Sequence, residues 1–438
     1  MNISVIGLGK LGLCTAACFA AAGHSVYGYD LNEYFRNELR NHRNPIDETD
    51  LDELLQAAWP MIHIVDCYED AVNSSEMTLI IVPTPSQADG RFSNEYIIKV
   101  LEGIAPALRQ KESFHIVDIV STVMPGSCDR LFKPFLERGT GKQCGRDFGL
   151  VYNPEFIALG SVIRNFLKPD MVLIGASDEH SGRMASELYV STCKNSPVMS
   201  VMSLVNAEIT KISLNCYVTM KISYANGLAA VCEQVPGADI DVITAAVGAD
   251  SRVGGKYLKG GIGFGGPCFP RDNIAFQAFA EEFGAEAVLG KAVVAINNSI
   301  PRRLEAKIAS LCSPPAKVAL LGLSYKADTH IVEESQSLAL AGELLASGYR
   351  VALHDPKALE TVCQMFGDRA ELHNDVYDCT SGASVIVLLT DWPEYHQLDW
   401  QRIATHAADH AVVVDSWRIA RNKDLNGLTH IQLGIGKD

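Results

Sequence analysis

The sequence predicts an α/β protein: two doubly wound domains joined by a long central helix and a helical middle domain. Three observations predict it. Short apolar strands alternate with helical stretches through the first two hundred residues. A long, almost glycine-free helical stretch from Leu204 to Val235 breaks that alternation, which resumes near Lys317. Short apolar runs between helices are the pattern of parallel sheets covered on both faces. At 438 residues the chain has room for roughly two or three domains. The expected boundaries are 1–200, 201–300 and 301–438.

Taken in order, Ile3 to Gly7 is a strand and an alanine-rich helix follows, ending near Gly23. A second strand, Ser25 to Tyr29, stops at Asp30. Gly7, Gly9 and Gly12 form GxGxxG between the first strand and its helix. Strand, glycines, helix, strand and acid within about thirty residues make a Rossmann-like dinucleotide unit. The glycines admit a pyrophosphate to the helix N-terminus, and Asp30 is placed to bond ribose hydroxyls, which favours NAD over NADP.

Further strands run from His63 to Asp66, Thr78 to Val82, His115 to Val120 and Leu150 to Tyr152. The last three end in polar or proline-containing turns: Thr84-Pro85, Ser121-Thr122-Val123 and Asn153-Pro154-Glu155. Their recurrence at carboxyl ends of parallel strands places them where open α/β sheets bind ligands. Thr84, Pro85 and Thr122 are therefore candidate cofactor contacts, and Leu11, inside the glycine motif, is counted with the three glycines and Asp30.

On the central helix Lys211 and Asn215 are four residues apart and share one face, which could be a solvated face or a working one. Arg252, Lys256 and Lys259 then gather positive charge before Gly260 to Asn273. Glycine weakens regular structure, so five glycines between Gly260 and Gly266 indicate a tight turn and a close ligand rather than packing. Pro270 suits the first turn of a helix and would set Cys268 just before a helix N-terminus. There the dipole favours a thiolate, though a buried inert thiol fits the stretch as well. From Lys317 a second doubly wound domain begins: strand Val318 to Leu321, turn Gly322 to Lys326, helix Ser335 to Ser347, and strand Tyr349 to Leu353 ending at Asp355. Strands Val385 to Leu389 and Val412 to Val414 follow, and Lys326 stands ready to hold a phosphate.

Composition limits the alternatives. With 47% hydrophobic and 20% charged residues the chain builds large cores. A net charge of −15 without a lysine and arginine cluster argues against nucleic acid and against an anionic membrane surface. No apolar run reaches the ~18 residues of a membrane span, and the chain enters a strand at once; the cytoplasm is the expected compartment. Twelve cysteines without CxxC pairs read as reduced thiols, with Cys14 and Cys18 in a helix packed on a sheet. His406 and His410 fall at helical spacing with no third ligand nearby, and read as a surface pair rather than a metal site.

Together these motifs resemble the nucleotide-sugar 6-dehydrogenases, the UDP-glucose and GDP-mannose dehydrogenases, in order over nearly the whole chain. The resemblance implies four-electron oxidation of a sugar C6 alcohol to a carboxylate with two NAD molecules. It makes Cys268 the nucleophile of a thiohemiacetal and thioester, gives Lys211 and Asn215 the oxyanion, and gives Glu155 proton handling or water placement. Thr122 and Asp272 would order the hydrolytic water. Phe156, Tyr257, Phe264, Gly265, Lys326 and Arg418 join Glu155, Lys211 and Asn215 at the substrate. Lys326 is assigned to phosphate contacts, of cofactor as well as substrate. Arg252 would reach the substrate of a neighbouring subunit, so a homodimer or larger homo-oligomer is expected. Leu159, Arg271 and Glu333 depart from the family pattern and bear on which sugar is bound. The alternatives are a two-electron hydroxyacid-type dehydrogenase, which leaves Cys268 and the second α/β domain unexplained, and a non-catalytic nucleotide-sugar-binding protein.

Overall fold

The computed structural model describes residues 1–157 and 160–436. Leu159 lies outside the described residues. The chain forms two compact units, Met1–Ser213 and Leu214–Asp438. The first contains strands β1 (Asn2–Ile6), β2 (Ser25–Tyr29), β3 (Ile62–Ile64), β4 (Met77–Ile80), β5 (Ile116–Ile119), β6 (Gly149–Tyr152), β7 (Met171–Ala176) and β8 (Val198–Ser203). Their sheet order is β3-β2-β1-β4-β5-β6-β7-β8. All neighbours are parallel except β6 and β7. Alternate side chains enter separate cores on the two faces: Ile3 and Val5 of β1 join one, while Ile6 joins the other with Val117 and Ile119 of β5.

The reversal of strand order falls between β1 and β4, and that is where the glycines sit. Gly7 has φ +94°, and a Cβ there would stand 2.2 Å from the Ile81 carbonyl oxygen. A Cβ on Gly12 would meet the Gly7 oxygen at 1.8 Å, so the first helix, Lys10–Ala21, can pack this closely on β1 only with glycine. Cys14 and Cys18 are buried on that helix, as expected, and burial pushes the Cys14 thiol up to about 12.

The second unit carries β9 (Lys317–Leu321), β10 (Arg350–His354), β11 (Glu371–Leu372), β12 (Val385–Leu388), β13 (Val412–Asp415) and β14 (Thr429–Gln432). Their order, β11-β10-β9-β12-β13-β14, repeats the arrangement of the first six strands, and every pair is parallel. The expected doubly wound repeat is therefore present.

Several elements correct the expectation. The strands β7, β8, β11 and β14 were not anticipated. β8 shows little of the buried pattern, with Val198 and Val201 exposed, and β11 spans only two residues. The helix Trp400–His406 ends before His410, which lies at φ +63°; the two histidines do not share a helix. The central helix runs Leu204–Cys232, close to its expected span. None of the helices is long and apolar enough to cross a membrane among the described residues.

Candidate active site

Ligand-facing groups of the first unit gather at the carboxyl ends of its strands. The Gly9 position has nothing within 4 Å of a Cβ, in contrast to its neighbours Gly7 and Gly12. Gly9 caps the first helix without any side-chain hydrogen bond, so the N–H groups of the first turn face that opening. At the end of β2, Asp30 accepts from Leu8 N at 2.6 Å through one oxygen and from Asn32 N at 2.8 Å through the other. Each oxygen keeps capacity for a further donor. An open cradle, an uncapped helix start and a half-buried acid fit the pyrophosphate and ribose of a dinucleotide. Leu11 lies in the first turn of that helix.

The turns after β4 and β5 are tied together. Thr84 donates through its hydroxyl to the Thr122 carbonyl at 2.8 Å, and Ser121 Oγ both accepts from Val82 N at 2.9 Å and donates to Val82 O at 2.7 Å. Pro85 O accepts from Ser93 N at 2.8 Å. Glu208, fully buried on the central helix, accepts from Gly126 N and Cys128 N at 2.6 and 2.8 Å and so anchors the segment that follows Thr122.

One turn further along that helix is Lys211. Its ammonium donates to the backbone carbonyl of Glu155 and stands 4.5 Å from the centre of the Phe156 ring. Only 7% of Lys211 and 9% of Asn215 is exposed, which overturns the solvated-face reading of this pair. The Glu155 carboxylate accepts from the Tyr189 hydroxyl at 3.0 Å. Burial pushes its carboxyl up to about 7, against the opposing pull of the Tyr189 hydroxyl and of the Lys211 charge.

In the second unit Cys268 is exposed and caps the helix Phe269–Glu282, whose first turn contains Pro270. The expected placement of this thiol at a helix N-terminus is met. Asp272, one turn below, donates its N–H to the Cys268 carbonyl at 2.9 Å and is 1% exposed. Its carboxylate accepts from the Asn215 amide at 2.6 Å, and Arg271 lies 3.9 Å away. Beneath them Asn273 donates to Thr219 Oγ1 at 2.9 Å. The central helix therefore grips the first turn of the cysteine helix through Asn215 and Thr219.

The glycine stretch is held by two asparagines absent from the sequence-based candidates. Asn226 accepts from Gly261 N at 2.8 Å and donates to Ile262 O at 3.1 Å; Asn297 accepts from Phe264 N at 2.8 Å and donates to Phe264 O at 3.0 Å. Close approach, not ligand space alone, explains the glycines: a Cβ on Gly261 would enter the Trp417 ring, one on Gly263 the Asn297 amide, and one on Gly265 the Glu334 carbonyl. The expectation that packing plays no part is thus corrected. Phe264 is buried edge-on to Phe269, and Tyr257, half-exposed at φ +62°, flanks the same ring. Lys326 lies 6.0 Å from the Tyr325 ring, which itself stands against Gly266. Glu333 is exposed, and its carbonyl accepts from Gly266 N at 2.8 Å.

One arginine, Arg418, sits otherwise than expected. All five Arg418 N–H donors are engaged, two by the Asp241 carboxylate and the others by the Gly260, Ser416 and Leu433 carbonyls. Direct donation to substrate from Arg418 therefore has no donor left; its role is to brace the start of the glycine stretch. Arg252, with an 87% exposed side chain, pairs with Asp250 at 2.7 Å. A signal for the missed residues was present. Lys211, Asn215, Thr219, Ser223 and Asn226 recur at spacings of four, four, four and three, a polar stripe on one helix face, and all are buried.

Among the described residues there is no cluster able to hold a metal ion. Comparison with known proteins gives three consecutive domain matches of one family, UDP-glucose/GDP-mannose dehydrogenase: its NAD binding domain over residues 1–193, its central domain over 205–299 and its UDP binding domain over 319–422. A curated UDP-glucose 6-dehydrogenase of Haloferax volcanii is 31% identical over 97% of this chain and 98% of its own length. A UDP-glucose dehydrogenase structure from Pyrobaculum islandicum superposes with a TM-score of 0.88 at 32% identity, covering 99% of this chain and 98% of that one. A UDP-D-ManNAc dehydrogenase structure from Pyrococcus horikoshii follows with a TM-score of 0.84 at 25% identity, covering 99% of both chains.

Proposed function

The chain belongs to the UDP-glucose/GDP-mannose dehydrogenase family, and from that premise we propose that it oxidises C6 of a UDP-sugar from alcohol to carboxylate through a thioester on Cys268. It is an NAD-dependent oxidoreductase with the NAD binding domain at residues 1–193. The observation that carries the mechanism is the exposed Cys268 at a helix start whose next turn holds Asp272 against Asn215. UDP-glucose and the UDP-N-acetylhexosamines are favoured over GDP-mannose, because the relatives named above are dehydrogenases of UDP-sugars. We assign three functional segments: cofactor at 1–200, thiol chemistry and association at 201–300, and the nucleotide sugar at 301–438.

When bound, NAD accepts two electrons in each of two oxidations. In the first, Glu155 takes the hydroxyl proton as a C6–H bond breaks, leaving an aldehyde. The Cys268 thiolate adds to the aldehyde carbon, and the Lys211 ammonium and Asn215 amide donate to the oxygen that gains charge. Breaking the second C6–H bond gives the thioester. Water ordered by Thr122 and Asp272 then attacks its carbonyl, the C–S bond breaks, and carboxylate and thiol are released. The glycine stretch with Phe264 and Tyr257 lies along the sugar, and Lys326 holds phosphate.

A homodimer completes this reading. Tyr217, Tyr224 and Val231 on the central helix and Val242 beyond it are exposed, an apolar surface suited to a second copy. Arg252, exposed as it is, could serve that copy's substrate.

The test is turnover of UDP-glucose, UDP-N-acetylglucosamine, UDP-N-acetylmannosamine and GDP-mannose with NADH counted per sugar. Two NADH per sugar oxidised is expected; one per sugar would point to a two-electron dehydrogenase, and binding without any NADH to a non-catalytic protein. Cys268→Ser should stop net acid formation while NAD still binds. Full activity in that variant removes the thioester.

A further inference from the structure

Glu155 is surrounded by groups from four elements of the first unit. The Tyr189 hydroxyl, on the helix Glu179–Thr192, donates to its Oε1 at 3.0 Å. The Lys211 ammonium holds its backbone carbonyl. Asp118, at the centre of β5 and fully buried, has neither carboxylate oxygen hydrogen-bonded within the described residues. Cys18 of the first helix and Cys193, just past the helix of Tyr189, also feel the Glu155 charge. The resemblance assigns a role to Glu155 and Lys211 alone; Tyr189 and Asp118 have none.

We propose that Tyr189 is the positioning residue of Glu155: its hydroxyl fixes one carboxylate oxygen and favours the ionised form, leaving Oε2 as the oxygen that takes the substrate proton. The proposal rests on the reading of Glu155 as the base. Tyr189 is 2% exposed, so its hydroxyl has no bulk water to turn to, and the bond to Oε1 sets the carboxylate plane. The surroundings give the bond its importance. Burial pushes the carboxyls of both Asp118 and Glu155 upward, and Asp118 rises further because Glu155 lies near. The Cys18, Cys193 and Tyr189 protons are pushed up as well, and these groups stay neutral near pH 7. The Tyr189 hydroxyl and the Lys211 ammonium are what hold Glu155 in a useful range against burial.

The experiment follows Glu155 in the full-length protein in two independent ways. Carbon NMR of the side-chain carboxyl, assigned by its loss in Glu155→Gln, reads its midpoint without any turnover. Initial rates against pH with the best sugar of the screen read it through the rising limb. Tyr189→Phe should move the midpoint upward by about one pH unit or more, the range expected for a hydrogen bond to a charged group. It should lower the rate at pH 7 by about fivefold or more and restore it at alkaline pH, a recovery that damage to the fold would not produce. Asp118→Asn, which imitates the protonated acid, should leave the midpoint in place. An unmoved midpoint in Tyr189→Phe overturns the proposal, as does an equal loss of rate at every pH. A downward move in Asp118→Asn overturns it too, because Asp118 would then carry the charge that governs Glu155. If no sugar is oxidised, the proposed function fails while the NMR midpoint still decides whether Tyr189 holds Glu155.

Discussion

The turn leaving β1 carries Gly7 at φ +94°, and the turn leaving β9 carries Gly322 at φ +97°. Gly7 N donates to Tyr29 O at 2.8 Å and Gly322 N to His354 O at 2.9 Å. The next strand ends in an acid in each case, and the residue after the glycine donates to it: Leu8 N to Asp30 at 2.6 Å, Leu323 N to Asp355 at 2.7 Å. Beyond that the two turns part. Asp30 is half-buried and accepts one further backbone donor, Asn32 N. Asp355 is 2% exposed and is filled by Ser324 N and Oγ, Lys357 N, Ala358 N and Trp392 Nε1. A helix starts immediately after Gly9 in the first unit, whereas the helix Gln336–Ala346 of the second begins fourteen residues beyond Gly322. The same backbone device thus leaves an acid and helix N–H groups open to a dinucleotide in one unit, and closes on itself in the other. A glycine and an acid at these positions are a property of the doubly wound turn; ligand binding depends on how many internal donors the acid already serves.

The sharpest way to break that contrast is to remove each acid. Asp355→Ala leaves several buried donors without an acceptor and should cost on the order of 3–5 kcal/mol in denaturant unfolding. Asp30→Ala should cost about 1 kcal/mol or less and instead raise KM for NAD roughly tenfold, worth about 1.4 kcal/mol. Equal destabilisation by the two would show that Asp30 is as structural as Asp355. Gly7→Ala and Gly322→Ala should each lose about 2–3 kcal/mol, from positive φ and from a Cβ pressed on the Ile81 carbonyl or on Thr390. Similar melting temperatures for the pair would support the common geometry. Gly9→Ala, with open space around it, should change stability by only about 0.5 kcal/mol while weakening NAD binding in calorimetry.

A gentler contrast lies in pH. Glu155 has an ordinary value of 4.5 and is pushed up to about 7, so the folded first unit keeps a proton that the unfolded chain has lost between those values. Its contribution is present below pH 4.5 and disappears as pH rises through 7. Asp415 in the second unit runs the other way. His430 and the Ala420 and Ile419 N–H groups hold its carboxyl below the ordinary 3.8 despite burial, so its contribution is present above 3.8 and lost as pH falls through the lowered folded value. Thermal melts against pH should show Glu155→Gln flattening the decline between about pH 4.5 and 7, and Asp415→Asn flattening the loss on the acid side of 3.8. A wild-type slope retained in either variant would assign the effect to other groups.

Much of both units was legible because the signals are local. Glycine at positive φ, a five-residue apolar run and proline in a first helical turn each express backbone sterics within a few residues, and Gly7, β1 and the helix Phe269–Glu282 fall where such signals put them. β8 escaped because its residues are only partly covered, and β11 because two residues carry no period. On the central helix the spacing of Lys211 and Asn215 was visible, yet spacing does not tell a buried polar face from a wet one. That depends on whether another segment covers it, here Glu155 over Lys211 and the cysteine helix over Asn215 and Thr219.

Residue order was enough to specify the alternation of strand and helix, the two glycine turns and the cysteine at a helix start, since each follows from steric limits on neighbouring residues. Tertiary packing chose the partners. It engaged every donor of Arg418 in the fold, filled Asp355 while leaving Asp30 open, set the Tyr189 hydroxyl on Glu155, and made the Gly260 to Gly266 stretch a closely packed track clamped by Asn226 and Asn297. A hydrogen bond is made with whatever group folding brings within about 3 Å, and that group stands tens to hundreds of residues away in the chain.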